Sequence, residues 1–124
     1  MAVTHPTAIR NGIADHVVDQ IDGGGAGTIV FQTSGSSDIA TLTFSATAFG
    51  AAASGIATAA SITDDTDCNA GTVTKFIVKS GGAATIFEGT VTATGGSGDI
   101  ILSSVAIGAG DTISISALTY EAPN

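Results

Sequence analysis

The sequence predicts a mainly β protein: an antiparallel β-sandwich or jelly roll of about seven to eight strands, with one N-terminal α-helix. Two observations carry this. Seven segments alternate in β-branched or aromatic side chains and are separated by glycine-rich turns. One segment near the start repeats its apolar residues at helical spacing instead. The chain therefore divides into an arm and amphipathic helix over residues 1–24 and a β-sandwich domain over residues 25–124.

In the helical segment Ile9, Ile13, Val17 and Ile21 recur every fourth residue, and Ala14 and Val18 widen the stripe. Pro6 suits the first turn and Gly23 the position just past the end. Such a helix has about 16 residues and a length of about 24 Å. Two features oppose it. Gly12 lies inside and costs about 1 kcal/mol relative to alanine. Asp19 and Asp22 lie at the C-terminal end, where the macrodipole disfavours anions. The stripe either covers one end of the core or packs against another subunit. The second reading makes Ile9, Ile13, Val17 and Ile21 the candidate protein interface.

Gly23-Gly24-Gly25-Ala26-Gly27 then ends the helical period. It is not a phosphate-cradling fingerprint, which needs a strand before the glycines and a helix after them. Strand period follows. Thr28–Thr33 is β-branched and aromatic, and Thr41–Ser45 alternates with Leu42 and Phe44 on one face. Ile56–Ile62 is a weaker strand of small residues. Thr72–Lys79 and Thr85–Thr92, joined by Ser80-Gly81-Gly82-Ala83, form the strongest hairpin. Asp99–Ser103 and Thr112–Ser116 complete the set, the last extending towards Tyr120.

Glycine, alanine, serine and threonine make up 68 of the 124 residues, yet isoleucine, valine, leucine and phenylalanine still number 30. That share exceeds the roughly 20% below which chains tend to stay unfolded. Three Lys and Arg against 11 Asp and Glu give a net charge of -8. This balance excludes an autonomous nucleic-acid binder, which needs clustered cations, and docking on an anionic membrane. No apolar run approaches the roughly 18 residues of a membrane span. The opening residues lack the basic start and apolar run of a secretory signal. Cys68 is the single cysteine, so no intrachain disulfide is expected.

The reactive side chains form no constellation, and the chain reads as no enzyme, with no catalytic residue, cofactor or metal assigned. His5 and His16 are too far apart in sequence for a helical zinc pair. Gly95-Gly96-Ser97-Gly98 fails as a nucleophile elbow because Asp99 stands where the final glycine belongs. Asp64-Asp65-Thr66-Asp67 is the densest acidic spot, but it lacks the calcium-loop spacing. Cys68 beside those acids has its thiolate disfavoured. Glu88 and Asp99 would serve as glycosidase carboxylates only if the fold brought them together. The chain also lacks tryptophan and has one tyrosine, so the usual sugar platform is missing.

The stretch Leu42-Thr43-Phe44-Ser45-Ala46-Thr47-Ala48-Phe49-Gly50-Ala51-Ala52-Ala53-Ser54-Gly55-Ile56-Ala57-Thr58-Ala59 resembles small virion proteins of tailed bacteriophages. The likeness continues through Ile62–Asp65, Thr72–Val78 and Phe87–Val91, and includes the helix ending in Ile21-Asp22-Gly23-Gly24-Gly25. Ser34-Gly35-Ser36-Ser37 departs from it. The resemblance supplies no catalytic or binding residues. It implies a capsid decoration, or cement, protein on the outer surface of the head, made in the host cytoplasm. Its partner would be the major capsid protein, and it would form a homo-oligomer, dimer or trimer. The alternative is a tail or fibre-associated β-sandwich binding module for host-surface recognition, for which Phe49 and Tyr120 are the aromatics placed near loops.

Overall fold

A computed structural model describes residues 3–115 and 117–122. The protein is mainly β, with 39% of residues in strands and 13% in helix. Helix α1 spans Thr7–Asp19 and continues as one 3-10 turn over Gln20–Asp22, the length the apolar period predicts. Pro6 sits one residue earlier than expected, as the N-cap. Its carbonyl accepts the N–H groups of Ile9 at 3.0 Å and Arg10 at 3.1 Å.

Ten strands follow, β1 (Thr28–Gln32), β2 (Asp38–Phe44), β3 (Ile56–Thr58), β4 (Ile62–Thr63), β5 (Gly71–Thr72), β6 (Lys75–Lys79), β7 (Thr85–Ala93), β8 (Ile100–Leu102), β9 (Ala106–Ile107) and β10 (Thr119–Glu121). A curled six-stranded sheet has the order β4-β2-β1-β6-β7-β8. Two small sheets, β10-β3 and β5-β9, complete the sandwich-like body.

The pattern of each strand follows its place. β1 pairs with β2 on one side and β6 on the other, Ile29 standing opposite both Leu42 and Val78. It is buried on both faces, so Ile29-Val30-Phe31 shows no polar alternation. β6 alternates, with Phe76 and Val78 inward and the two lysines half-buried at its ends. In β2, Leu42 and Phe44 are buried while Thr41 and Thr43 face water. The expected hairpin is present as the antiparallel pair β6–β7. The core gathers Ala14, Val18 and Ile21 of the helix with Ile29, Phe31 and Leu42 of the sheet. Gly27 makes this contact possible: a Cβ there would stand 2.6 Å from the Lys79 carbonyl and collide with Ile21.

Several expectations are corrected. The segment Ile56–Ile62 is two strands in two sheets, because β3 pairs with β10 whereas β4 pairs with β2. β8 runs parallel to β7, not antiparallel. Parallel neighbours ordinarily need a crossover of a dozen or more residues. Here the chain turns back within residues 94–99, with Gly95 at φ +95°. The Gly98 N–H bonds Thr92 Oγ1 at 3.0 Å, and at Gly98 a Cβ would crowd that threonine. Thr112–Ser116 forms no ladder among its described residues; Ile113 bridges Asp65 alone, and Ser116 lies outside the described residues. β9 was not expected. Phe49 does lie in the connection between β2 and β3, but it is 3% exposed and packed on Phe44 at 5.7 Å between ring centroids, so it presents no aromatic face to a ligand.

Candidate interaction surface

The helix faces the body through a side of its own. Ala14 and Val18 are buried and Ile21 is fully enclosed, which removes Ile21 from the candidate interface. Ile13 and Val17 are half-buried flanks, and Ile9 is 50% exposed. The helix's polar side chains are engaged by the loop between β2 and β3. Asn11 Oδ1 accepts the Gly55 N–H at 2.7 Å, Asp15 Oδ1 the Ala52 N–H at 2.7 Å, and Asp22 Oδ1 the Ala48 N–H at 2.8 Å. Arg10 donates to the Ala122 carbonyl at 3.2 Å and faces Glu121 at 3.6 Å. These four residues fasten the helix onto the sheet end. Sequence reasoning missed their role, because capping of a distant loop leaves no local spacing.

Four large apolar side chains are exposed among the described residues: Val3, Ile9, Ile56 and Ile101. Ile9 and Ile56 belong to one neighbourhood. Arg10, next to Ile9, has its guanidinium against Gly55, next to Ile56, where a Cβ would come within 2.7 Å. The start of the helix and the start of β3 thus lie close together, with Ile9 50% and Ile56 36% exposed.

The acidic loop is a fold element. Asp65 Oδ2 accepts the Thr41 N–H at 2.8 Å, and its Oδ1 accepts the Asp67 N–H at 2.9 Å. Among the described residues no three His, Cys, Asp or Glu side chains gather as metal ligands. Cys68 is buried, its thiol 3.6 Å from the Asp65 carbonyl. Burial pushes its pKa up, and the nearby Asp65, Asp111 and Asp67 charges add to the rise.

The fold does bring Glu88 and Asp99 to one cleft of about 310 Å³, beside Phe87 and Tyr120. The two rings lie 5.2 Å apart. Asp99 Oδ2 accepts both the Thr90 N–H at 2.9 Å and the Thr90 hydroxyl at 3.1 Å. Those bonds hold its pKa below the ordinary value, the backbone N–H contributing most. These bonds favour the charged form and tie the 94–99 turn to β7.

This cleft opens into a longer groove. Residues 99–104, containing β8, form one wall, and residues 111–115 and 117–121 form the other, running in the opposite sense. Further cavities of about 270 and 470 Å³ follow along it, ending at Asp111. Among the described residues no backbone hydrogen bond crosses between the walls; the far wall is held from its other side by Asp65 and Ala59. No protein-family model, curated protein or solved structure matches this chain.

Proposed function

We propose that this chain is a bacteriophage virion structural protein, a capsid decoration protein that binds the major capsid lattice and stabilises the head. The observation that carries the reading is the pair of exposed isoleucines, Ile9 and Ile56, on neighbouring segments that the Arg10, Asn11 and Asp15 fastenings hold together. Exposed apolar side chains fixed on a rigid scaffold suit attachment. The resemblance of residues 42–59 to small virion proteins, an expectation from sequence alone, suggests the class of partner. Many copies on one lattice convert modest contacts into strong reinforcement of the shell. The surface charge of -8 suits a basic rim on the partner. A dimer at lattice twofolds or a trimer at threefolds fits the same reading.

The test is the location and copy number of the chain in purified particles of the phage that encodes it. A decoration protein gives density over the head and a copy number close to that of the shell subunit. Density confined to the tail, with a bare head, overturns the reading in favour of the tail-associated module. The variant Ile9→Asp is expected to bind bare heads at least tenfold more weakly while folding normally.

A further inference from the structure

The groove beside β8 has the form of an empty place in a sheet. β8 pairs with β7 on one side only, and its other edge faces the groove. A strand edge left open offers a row of N–H and C=O groups to any extended segment that can reach it. Ile100, Ile101, Leu102 and Ile115 contribute apolar side chains to a lining that also carries Ser103, Ser104, Thr112 and Ser114. Ile101 remains 47% exposed within it. β8 itself offers three extended residues, Ile100–Leu102, an edge of about 10 Å.

Charge selects the occupant. Glu88, Asp99 and Glu121 line one end, Glu121 facing Arg10 at 3.6 Å, and Asp111 lines the other; among the described residues no lysine, arginine or histidine lines any of the three cavities. A second copy of this chain, with net charge -8, would bring like charge to that rim. We propose that the groove binds an extended, cationic segment of a partner protein by strand addition, its backbone pairing with β8 and its basic ends meeting the acidic rims. Main-chain hydrogen bonds would supply affinity, and alternate side chains set against Ile101 and its serine and threonine neighbours would set register. The inference rests on the reading of this protein as an attachment protein, but not on which particle it attaches to.

The experiment titrates the isotopically labelled full chain with a seven-residue peptide bearing lysine at both ends and alternating valine and threonine between. Two further peptides carry glutamate at both ends or proline in the centre. The lysine-ended peptide is expected to shift the amides of Ile100, Ile101, Leu102, Ser114 and Ile115. The other two are expected to bind at least tenfold more weakly. Glu88→Lys, an exposed change on β7, is expected to weaken the lysine-ended peptide about tenfold and to flatten its salt dependence. Ile101→Lys, also on the surface, is expected to abolish binding by placing a cation in the groove. Equal binding of the lysine- and glutamate-ended peptides overturns the proposal, as does failure of all three at millimolar concentration. A dimer in which the groove amides are already protected overturns it in favour of self-association. Each result is independent of copy number on a virion, so the two readings fail separately.

Discussion

The carboxylate of Asp15, in the middle of α1, accepts the backbone N–H of Ala52 at 2.7 Å, across 37 residues of sequence. It ties the helix to a loop with almost no regular structure of its own. Asp15→Ala leaves that N–H half-buried without its charged acceptor, which costs about 1–2 kcal/mol. For a chain of this size the melting temperature is expected to fall by roughly 5 °C. Asp19→Ala is the contrast: Asp19 is exposed at the end of α1, and its side chain makes no hydrogen bond among the described residues. Removing an anion from the helix C-terminus is expected to leave stability unchanged or raise it by about 0.3 kcal/mol. Thermal melts should therefore show a clear drop for Asp15→Ala and none for Asp19→Ala.

Two glycines answer oppositely to alanine. At Gly12 a Cβ meets nothing within 4 Å, and the residue is in an exposed helix interior. Gly12→Ala is expected to stabilise by about 0.5–1 kcal/mol, because glycine loses the most backbone freedom on helix formation. Gly27→Ala forces a Cβ against Ile21 and to 2.6 Å from the Lys79 carbonyl. There the helix and the β1 entry close on each other, and overpacking is expected to cost at least about 2 kcal/mol. Urea unfolding of both variants checks the signs.

The helix and the central strands were legible because their side chains carry their own period. Phe76 and Val78 in β6, or Leu42 and Phe44 in β2, declare an inward face by simple alternation. The buried face of α1 lies to one side of the expected stripe, keeping Ala14, Val18 and Ile21 of it and leaving Ile9 outside. The helix approaches the body closely enough that the small Ala14 sits at the contact, so the larger Ile13 and Val17 fall to the flanks. Bulk therefore pointed to Ile9, whereas burial follows Ala14, Val18 and Ile21. The two-residue ladders of β5 and β9 are too short to show any period. The parallel placement of β8 depends on the Thr90–Asp99 anchor and the glycines before it, a relation no alternation rule encodes. The groove escaped notice for the same reason: it is the space between two segments, and neither one describes it.

Asp99 sets an acid-sensitive point in the fold. Its folded pKa lies below the ordinary carboxylate value because Thr90 donates two hydrogen bonds to the charged form. A depressed folded pKa means that the stabilisation is present above the unfolded value, about 3.9. It is lost as pH falls through the lower folded value. In an NMR titration the Thr90 amide is expected to hold its position down to about pH 4 and to move only below it, together with the Asp99 carboxyl signal. Asp99→Asn should remove that transition and loosen the 94–99 turn. A Thr90 transition centred well above pH 4 would contradict the geometry.

Cys68 gives the opposite pH sign. Burial raises the thiol pKa, and Asp65, Asp111 and Asp67 raise it further by disfavouring a second negative charge. A raised folded pKa means that the folded state keeps its proton after the unfolded chain has begun to lose it, at about pH 8.5. The stabilising contribution is therefore complete below that value and declines as pH rises through the folded pKa. Two outcomes follow. Iodoacetamide at pH 8 is expected to leave Cys68 unmodified in the native chain and to label it rapidly in urea, because only the thiolate attacks and the native thiol is 2% exposed. Cys68→Ala is expected to flatten the loss of stability between about pH 8 and pH 10, and to lower stability at pH 7, where a small buried side chain is replaced by a smaller one. Rapid native labelling at pH 8 would show that the loop carrying Asp65 opens on the timescale of the reagent.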